Sequence, residues 1–357
     1  MSAPVPLRPD LAVMTGYHSP QVPAEVRLNT NESPLPPPAE WREALAAELG
    51  RLEFHRYPDR GARALRAGLA ELHGVGEDHV FCANGSNEVL QCLLLAFGGA
   101  GRRAVVFEPT YALHAHIARV AATEVVRGGR TADFEIDPAA ADALLAEHRP
   151  ALTFLCSPNN PTGRAEPAET VRRVLAAAPG LVVVDEAYGQ FARCSALALR
   201  REPAAAPGLV VVRTFSKTWA MAASRLGYLV ADPDVVAGCD AVVLPYHLSA
   251  PTQVAGVLAL RYRAAMERRV AVVAEERGRV ASGLAGLPVA SWPSDASFIL
   301  FRPLSRPAGE VWQGLLARGV LVRDCSTWEG LEGCLRVTVG THEENGRFLD
   351  ALEEVLE

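Results

Sequence analysis

From residue 80 onward, short apolar runs rich in β-branched residues alternate with helical stretches. The runs fall at 80–83, 104–107, 151–156, 181–184, 209–212 and 227–230, with helical candidates at 86–97, 110–121, 138–147 and 167–177. Strands that are apolar throughout are buried on both faces, and regular alternation with helices places those helices on both sides of a mostly parallel sheet. The expected fold class is therefore α/β, with a large domain on a mostly parallel sheet. At 357 residues the chain has room for a second, smaller domain. A long, partly charged helical stretch at 249–284 presents a solvated face. Beyond it, strand candidates at 297–301, 320–323 and 334–339 with helical pieces at 308–318 and 342–356 read as a smaller α+β domain. Residues 1–38 are proline-rich and aperiodic, an extended arm expected to pack near that domain. The expected division is 1–39 for the arm, 40–245 for the large domain, and 246–357 for the long interdomain helix and the small C-terminal domain.

Composition narrows the function classes. A net charge of −6 and a pI near 5.9 offer no basic face for nucleic acid. No apolar run approaches the roughly 20 residues of a membrane span, and Met1 to Pro9 lack the pattern of a secretory signal. Seven cysteines (82, 92, 156, 194, 239, 325, 334) include no C-x-x-C pair. They read as buried thiols in a reducing cytoplasm, with neither a disulfide framework nor a zinc site. His114 and His116, two apart in a helical stretch, face different ways and make a poor metal pair.

In parallel α/β sheets ligands sit at the carboxyl ends of the strands, and polar residues recur there in this sequence. Asn84-Gly85-Ser86-Asn87-Glu88 follows the first run, where a glycine at a strand-to-helix turn leaves N–H groups suited to a phosphate. Ser and Asn at that place are also ordinary helix caps. Ser157-Pro158-Asn159-Asn160-Pro161-Thr162-Gly163 follows 151–156; it is a tight turn that places the Asn160 amide at the strand end. Asp185-Glu186-Ala187-Tyr188 follows 181–184, and a carboxylate closing an apolar strand requires a partner, structural or functional. After 209–212 comes Arg213-Thr214-Phe215-Ser216-Lys217-Thr218-Trp219, with Arg225 downstream.

Lys217 is the single lysine among 35 basic residues. Arginine stays protonated at ordinary pH, whereas lysine can lose its proton and attack a carbonyl, so a lone lysine in this position is a candidate Schiff-base residue. The stretch is not a P-loop, because the four residues before Ser216 lack glycine, and no G-x-G-x-x-G follows an early strand. A nucleophilic amine, a buried carboxylate, a phosphate cradle and an arginine together point to pyridoxal 5′-phosphate.

The motifs Asn-Gly-Ser-Asn-Glu, Ser-Pro-Asn-Asn-Pro-Thr-Gly, Val-Asp-Glu-Ala-Tyr and Arg-Thr-Phe-Ser-Lys, in this order, resemble the fold type I, class II pyridoxal-phosphate-dependent aminotransferases. The sequence is most similar to the histidinol-phosphate aminotransferase family. Further matching pieces are Leu28-Asn29-Thr30-Asn31-Glu32, Arg56-Tyr57-Pro58-Asp59, Glu108-Pro109-Thr110-Tyr111 and Leu335-Arg336-Val337-Thr338. The resemblance implies that Lys217 holds the cofactor as a Schiff base and moves the substrate proton. Asp185 would pair with the pyridine nitrogen, Asn160 and Tyr188 with the ring hydroxyl, and Tyr111 would stack on the ring. Ser86, Asn87, Thr214, Ser216 and Arg225 would surround the phosphate, joined by Tyr57 from the second subunit of a homodimer. Arg323 and Arg336 would bind the substrate's anionic ends, with Tyr17 of the arm closing over them.

The implied reaction is transfer of an amino group from histidinol phosphate to 2-oxoglutarate, giving imidazole-acetol phosphate and glutamate, a step of histidine biosynthesis. Its partners would be a small amino donor and a 2-oxo acid acceptor, with no nucleic acid, membrane or metal. Ser33, Leu35 and Ser297 depart from the family's usual residues near the substrate side. Transamination of an aromatic or other α-amino acid, and decarboxylation of a phospho-amino acid on the same scaffold, therefore stay open. A transcription regulator carrying this fold behind a DNA-binding domain is disfavoured by the acidic charge and by the roughly 40 residues ahead of the first large-domain helix.

Overall fold

In the computed structural model, residues 7–9, 11, 12, 14, 22–202 and 207–357 are described. The arm contributes strand β1 (Val26–Leu28), followed by helices α1 (Ala39–Leu49) and α2 (Arg63–His73). Strands and helices then alternate: β2 (Val80–Ala83), α3 (Gly85–Phe97), β3 (Arg103–Glu108), α4 (Leu113–Val120), β4 (Glu124–Gly129), α5 (Pro138–His148), β5 (Leu152–Cys156), α6 (Ala168–Ala177) and β6 (Leu181–Asp185). β7 (Leu209–Thr214) and β8 (Gly227–Val230) complete this series. Helices α7 (Pro233–Val242), α8 (Ala250–Arg261) and α9 (Arg263–Ala285) lead to β9 (Val289–Ser291), β10 (Phe298–Pro303), α10 (Ala308–Ala317), β11 (Val320–Asp324), β12 (Leu335–Thr338) and α11 (His342–Leu356).

Seven strands form one sheet in the order β2-β8-β7-β6-β5-β3-β4. β8 runs antiparallel to both its neighbours, and the other pairs are parallel. Val182–Val184 and Leu209–Val212 are fully buried, packed under α3 and α7 on one face and α5 and α6 on the other. Each such aliphatic side chain contributes about 1.5–3 kcal/mol on burial, which accounts for strands that are apolar from end to end. Because β8 returns antiparallel to β7, residues 215–226 need no crossover helix and form a loop at the carboxyl end of the sheet. The Phe215 N–H donates to the Leu226 carbonyl at 2.9 Å and closes that loop.

The second sheet has the order β1-β11-β12-β10-β9. β1 pairs parallel with β11, Val26 opposite Val320, so the residues just after β1 are delivered against the sheet edge. β11 and β12 pair with Arg323 directly opposite Arg336, and both side chains are buried. Among the described residues, no helix is long and apolar enough to cross a membrane, and no cluster of three or more His, Cys, Asp or Glu side chains could hold a metal.

Besides the short strands β1 and β9, three elements depart from the sequence expectation. The stretch at 249–284 is two helices, broken at Tyr262. The buried face of α8 (Ala255, Leu258, Ala259) packs on α2, whereas that of α9 (Val273, Val280, Leu284) runs on to the second sheet, and one straight axis cannot serve both. β4 carries an arginine and two glycines and lies at the sheet edge, half exposed, which hides its strand pattern. α7 starts at the Asp232 cap with Pro233 in its first turn, a start signal that the run of small residues after it obscured.

Beside Asp185, Glu186 turns away from the strand end and is buried with Arg213 at 2.7 Å, also accepting from Ser195 Oγ and the Ala196 N–H. A buried pair left with one member is strongly destabilising, by about 3–5 kcal/mol. Arg213→Ala is therefore expected to lower the cofactor-free protein's unfolding free energy by that amount in urea titration. An unchanged midpoint would mean that water replaces the guanidinium at no cost.

Candidate active site

The carboxyl ends of β2, β5, β6 and β7 meet the Asn29–Glu32 strap and the buried arginines of the second sheet around a cavity of about 270 Å³. Ser86, Asn87, Tyr111, Asn160, Asp185, Tyr188, Thr214, Ser216, Lys217, Arg225, Arg323 and Arg336 all line it. The side chains singled out in distant parts of the sequence are thus brought to one place. Two others differ. Tyr57 is 79% exposed, stacks on Tyr246 with ring centroids 4.4 Å apart, and does not line this cavity. Tyr17 lies outside the described residues.

Lys217 sits in the loop between β7 and β8. Its Nζ donates to the Thr30 carbonyl at 3.1 Å and lies 5.8 Å from the centre of the Tyr188 ring. Burial, reinforced by the positive charges of Arg336 and Arg225 against the opposing pull of Glu32, lowers its pKa to about 8. Asp185 is buried at the end of β6. One oxygen accepts the Ala187 N–H at 3.0 Å, and the other accepts from His114 Nε2 at 3.0 Å. The His114 ring is fully buried, stacked on Phe154 at 5.0 Å and edge-on to Tyr111 at 5.5 Å.

At the far end, α3 begins without a side-chain cap, so its first N–H groups are left for a ligand. The Asn84 side chain bonds Glu88 and the His247 carbonyl instead. Gly85 holds φ 79°, which strains any side chain, and a Cβ there would lie 2.7 Å from Arg225 Nη2 and push the guanidinium off the helix start. Arg225 reaches Ser216 Oγ at 3.4 Å, and Ser216 accepts from Thr214 Oγ1 at 3.0 Å. The helix cap weighed against a phosphate cradle at Ser86 is absent, and hydroxyls, N–H groups and a guanidinium converge there.

Between these ends, Asn160 Oδ1 accepts from Arg336 Nη1, and the Tyr188 hydroxyl accepts from Asn31 Nδ2 at 2.9 Å. Asn159, fully buried, ties the turn to Thr110, Pro109 and Thr162, which leaves Asn160 to face the cavity. Burial raises the Tyr188 pKa, so the phenol keeps its hydrogen. Tyr111 donates to Asn87 Oδ1 at 3.2 Å. Arg336 also donates to the Asn29 carbonyl at 2.9 Å and lies over the Phe298 ring, while Arg323 lies over Trp328. Both arginines are buried and line the cavity rather than facing solvent.

These donors fit pyridoxal phosphate. An uncapped helix start with Ser86, Thr214, Ser216 and Arg225 suits a phosphate, and the glycine gap at 85 provides the space. Asp185 suits a protonated ring nitrogen, Asn160 and Tyr188 a ring oxygen, and Lys217 an aldehyde carbon. His114, Asn31 and Thr30 were not found from the sequence as site residues. His114 had been weighed only as a metal ligand, and its contact with Asp185 spans 71 residues.

A family model described as aminotransferase class I and II matches residues 23–352. A histidinol-phosphate aminotransferase of Thermobifida fusca (strain YX) is 49% identical over 98% of this chain and 95% of its own length. One of Frankia casuarinae is 46% identical over 99% of this chain and 90% of its own. The crystal structure of histidinol-phosphate aminotransferase from Sinorhizobium meliloti, in complex with pyridoxal-5′-phosphate, superposes with a TM-score of 0.88 at 22% identity, covering 99% of this chain and 98% of that one. At that identity the likeness is one of fold.

The His114 contact generates a prediction. His114→Phe keeps a flat ring against Phe154 but leaves one Asp185 oxygen without a donor. Loss of one such hydrogen bond is expected to weaken pyridoxal phosphate binding about tenfold, read by fluorescence titration, with the circular dichroism spectrum retained. Unchanged affinity would reduce His114 to a packing role.

Proposed function

This chain belongs to the class I and II aminotransferases, and on that premise we propose that it transfers the amino group of histidinol phosphate to 2-oxoglutarate, giving imidazole-acetol phosphate and glutamate. The observation that carries the proposal is that the chain's single lysine shares one cavity with two buried arginines, in a sequence similar to histidinol-phosphate aminotransferases over nearly its full length.

Pyridoxal phosphate, when bound, supplies an aldehyde that takes up an amine and a ring that accepts electrons. Lys217 is the one lysine available for attachment to it. With cofactor and substrate bound, the Nζ would be the base for the substrate α-carbon proton and would move it to the cofactor's C4′. In the cofactor-free cavity, a pKa near 8 makes roughly a tenth of this amine neutral at pH 7, against about one part in 3000 for an ordinary lysine. Asp185, held by His114 and the Ala187 N–H, would keep the ring nitrogen protonated. Asn160 and Tyr188 would hold the ring oxygen. Ser86, Asn87, Thr214, Ser216 and Arg225 would hold the phosphate, and Tyr111 would lie against the ring.

Histidinol phosphate carries a phosphate and no carboxylate; glutamate carries two carboxylates. Arg323 and Arg336 present planar guanidinium forks that serve either anion, which is how one cavity accepts both substrates in turn. Arg336 also bonds Asn160, so an anion bound there acts on the cofactor's ring oxygen through one intervening amide. The active unit in this reading is a homodimer in the cytoplasm. Tyr57 stacks on Tyr246, and both are exposed, as are Phe54 and Leu244 near them in sequence; these apolar side chains support a subunit contact, from which Tyr57 would reach the partner's phosphate site, with Tyr17 of the arm proposed to close over the substrate.

Lys217→Ala should lose the visible cofactor band and turnover; retained turnover would remove the lysine from the chemistry. With 2-oxoglutarate as acceptor, histidinol phosphate should be turned over with a higher kcat/KM than phenylalanine, and the reverse order would favour the aromatic reading. Since only the neutral amine attacks, reloading of cofactor-free protein should accelerate as pH rises through about 8 and level off above it. A rise continuing to pH 10 would mean that the cavity does not depress the amine.

A further inference from the structure

The Tyr188 hydroxyl faces the cavity with one hydrogen to give, and its direction is set by a side chain of the strap that lines the same cavity. Asn31, in the strap after β1, is 2% exposed and holds a left-handed backbone with φ 56°. Its N–H donates to Thr338 Oγ1 at 3.0 Å, and its Oδ1 accepts from the same hydroxyl at 2.9 Å. Its Nδ2 donates to the Tyr188 oxygen at 2.9 Å.

The buried Thr338 hydroxyl decides which way the Asn31 amide points. Its oxygen receives the Asn31 backbone N–H and its single hydrogen is accepted by Asn31 Oδ1; with the amide reversed, that buried hydrogen would lose this acceptor. The amide nitrogen is then the atom that faces Tyr188, an assignment made by the network rather than by the similar shapes of oxygen and nitrogen. The Tyr188 oxygen thus receives a hydrogen and keeps its own. Among the described residues, no protein group accepts that hydrogen, and the side chain borders the cavity. With the amide reversed, Tyr188 would donate to Asn31 and have nothing left for a ligand.

We propose that Asn31 is a positioning residue that turns the Tyr188 hydroxyl so that it donates into the cavity, to the anionic ring oxygen of the bound cofactor. This rests on reading the cavity as a pyridoxal phosphate site. The arrangement also ties that hydroxyl to the substrate side. Thr338 lies two residues beyond Arg336 on β12, and Asn31 two beyond Asn29, whose carbonyl Arg336 binds. Seating of the strap and orientation of the hydroxyl are one event.

The test uses the loaded enzyme and two substitutions, alone and combined. Asn31→Gly removes the amide while tolerating the left-handed backbone, and Tyr188→Phe removes the hydroxyl. The readouts are the pH midpoint of the cofactor's visible absorbance change and the cofactor dissociation constant. A hydrogen donated to the ring oxygen withdraws its charge; without it the ring system holds its proton more tightly, and the midpoint rises. Tyr188→Phe is expected to raise the midpoint by about one pH unit and the dissociation constant about tenfold. Asn31→Gly should shift both in the same direction by a smaller amount, and should add nothing in the Tyr188→Phe background. A shift that persists there would make Asn31 a structural residue only and overturn the proposal, as would Asn31→Gly behaving like the wild type while Tyr188→Phe shifts. If Tyr188→Phe shifts nothing, the role of Tyr188 falls together with this one. Loss of the visible band in Lys217→Ala tests the cofactor reading separately.

Discussion

Removing a guanidinium from water costs several kcal/mol unless hydrogen bonds and counter-dipoles replace the lost hydration. Arg336 is 4% exposed, and the groups that replace its water come from three separate parts of the chain. Asn160 at the end of β5 accepts from one amino group, the Asn29 carbonyl of the strap accepts from the other, and the Phe298 ring lies beneath. The large sheet, the small sheet and the arm are therefore joined at one side chain. Its charge also acts across the cavity, where it is the second cause, after burial, of the lowered Lys217 pKa. Burying this cation thus also lowers the pKa of an amine lining the same cavity.

The chemistry needs that preparation because an arginine-rich composition supplies no substitute. Of lysine and arginine, only lysine can be discharged by burial at ordinary pH. The loop that holds it is set by topology. β8 turns back antiparallel beside β7, so residues 215–226 stay at the carboxyl end of the sheet with Lys217 near one end and Arg225 near the other. Asp185 needs no loop; it ends β6 in the layer beneath. His114, packed from α4, gives this carboxylate its partner. The anion cradle, the carboxylate and the amine are held by backbone geometry that the sheet determines.

Part of the cavity's lining was legible from local chemistry, whereas the places of Tyr111, Tyr188, Arg323 and Arg336 followed only from the family resemblance. Apolar strands end in Asn-Gly, Ser-Pro-Asn-Asn-Pro, Asp-Glu and Ser-Lys, and turn formers at strand ends read plainly without a structure. What escaped was long-range. His114 with Asp185, Asn31 with Tyr188 and Thr338, and Glu186 with Arg213 are contacts between residues 27 to 307 apart. No periodicity encodes them. The elements missed have equally physical reasons: β4 is an edge strand with two glycines, and the break at Tyr262 carries neither proline nor glycine because it follows a change of packing partner. The pairing of β1 with β11 left no trace in an aperiodic, proline-rich arm.

A single half-reaction measures the central claim most directly. Enzyme loaded with pyridoxal phosphate is mixed with histidinol phosphate in the absence of any 2-oxo acid, and the visible cofactor band and the ketone released are followed together. Transamination centred on Lys217 predicts that the band disappears, that one equivalent of imidazole-acetol phosphate forms per subunit, and that 2-oxoglutarate then restores the band. A band unchanged by histidinol phosphate but bleached by an aromatic amino acid would contradict the assigned substrate. A band bleached without ketone would contradict transamination itself.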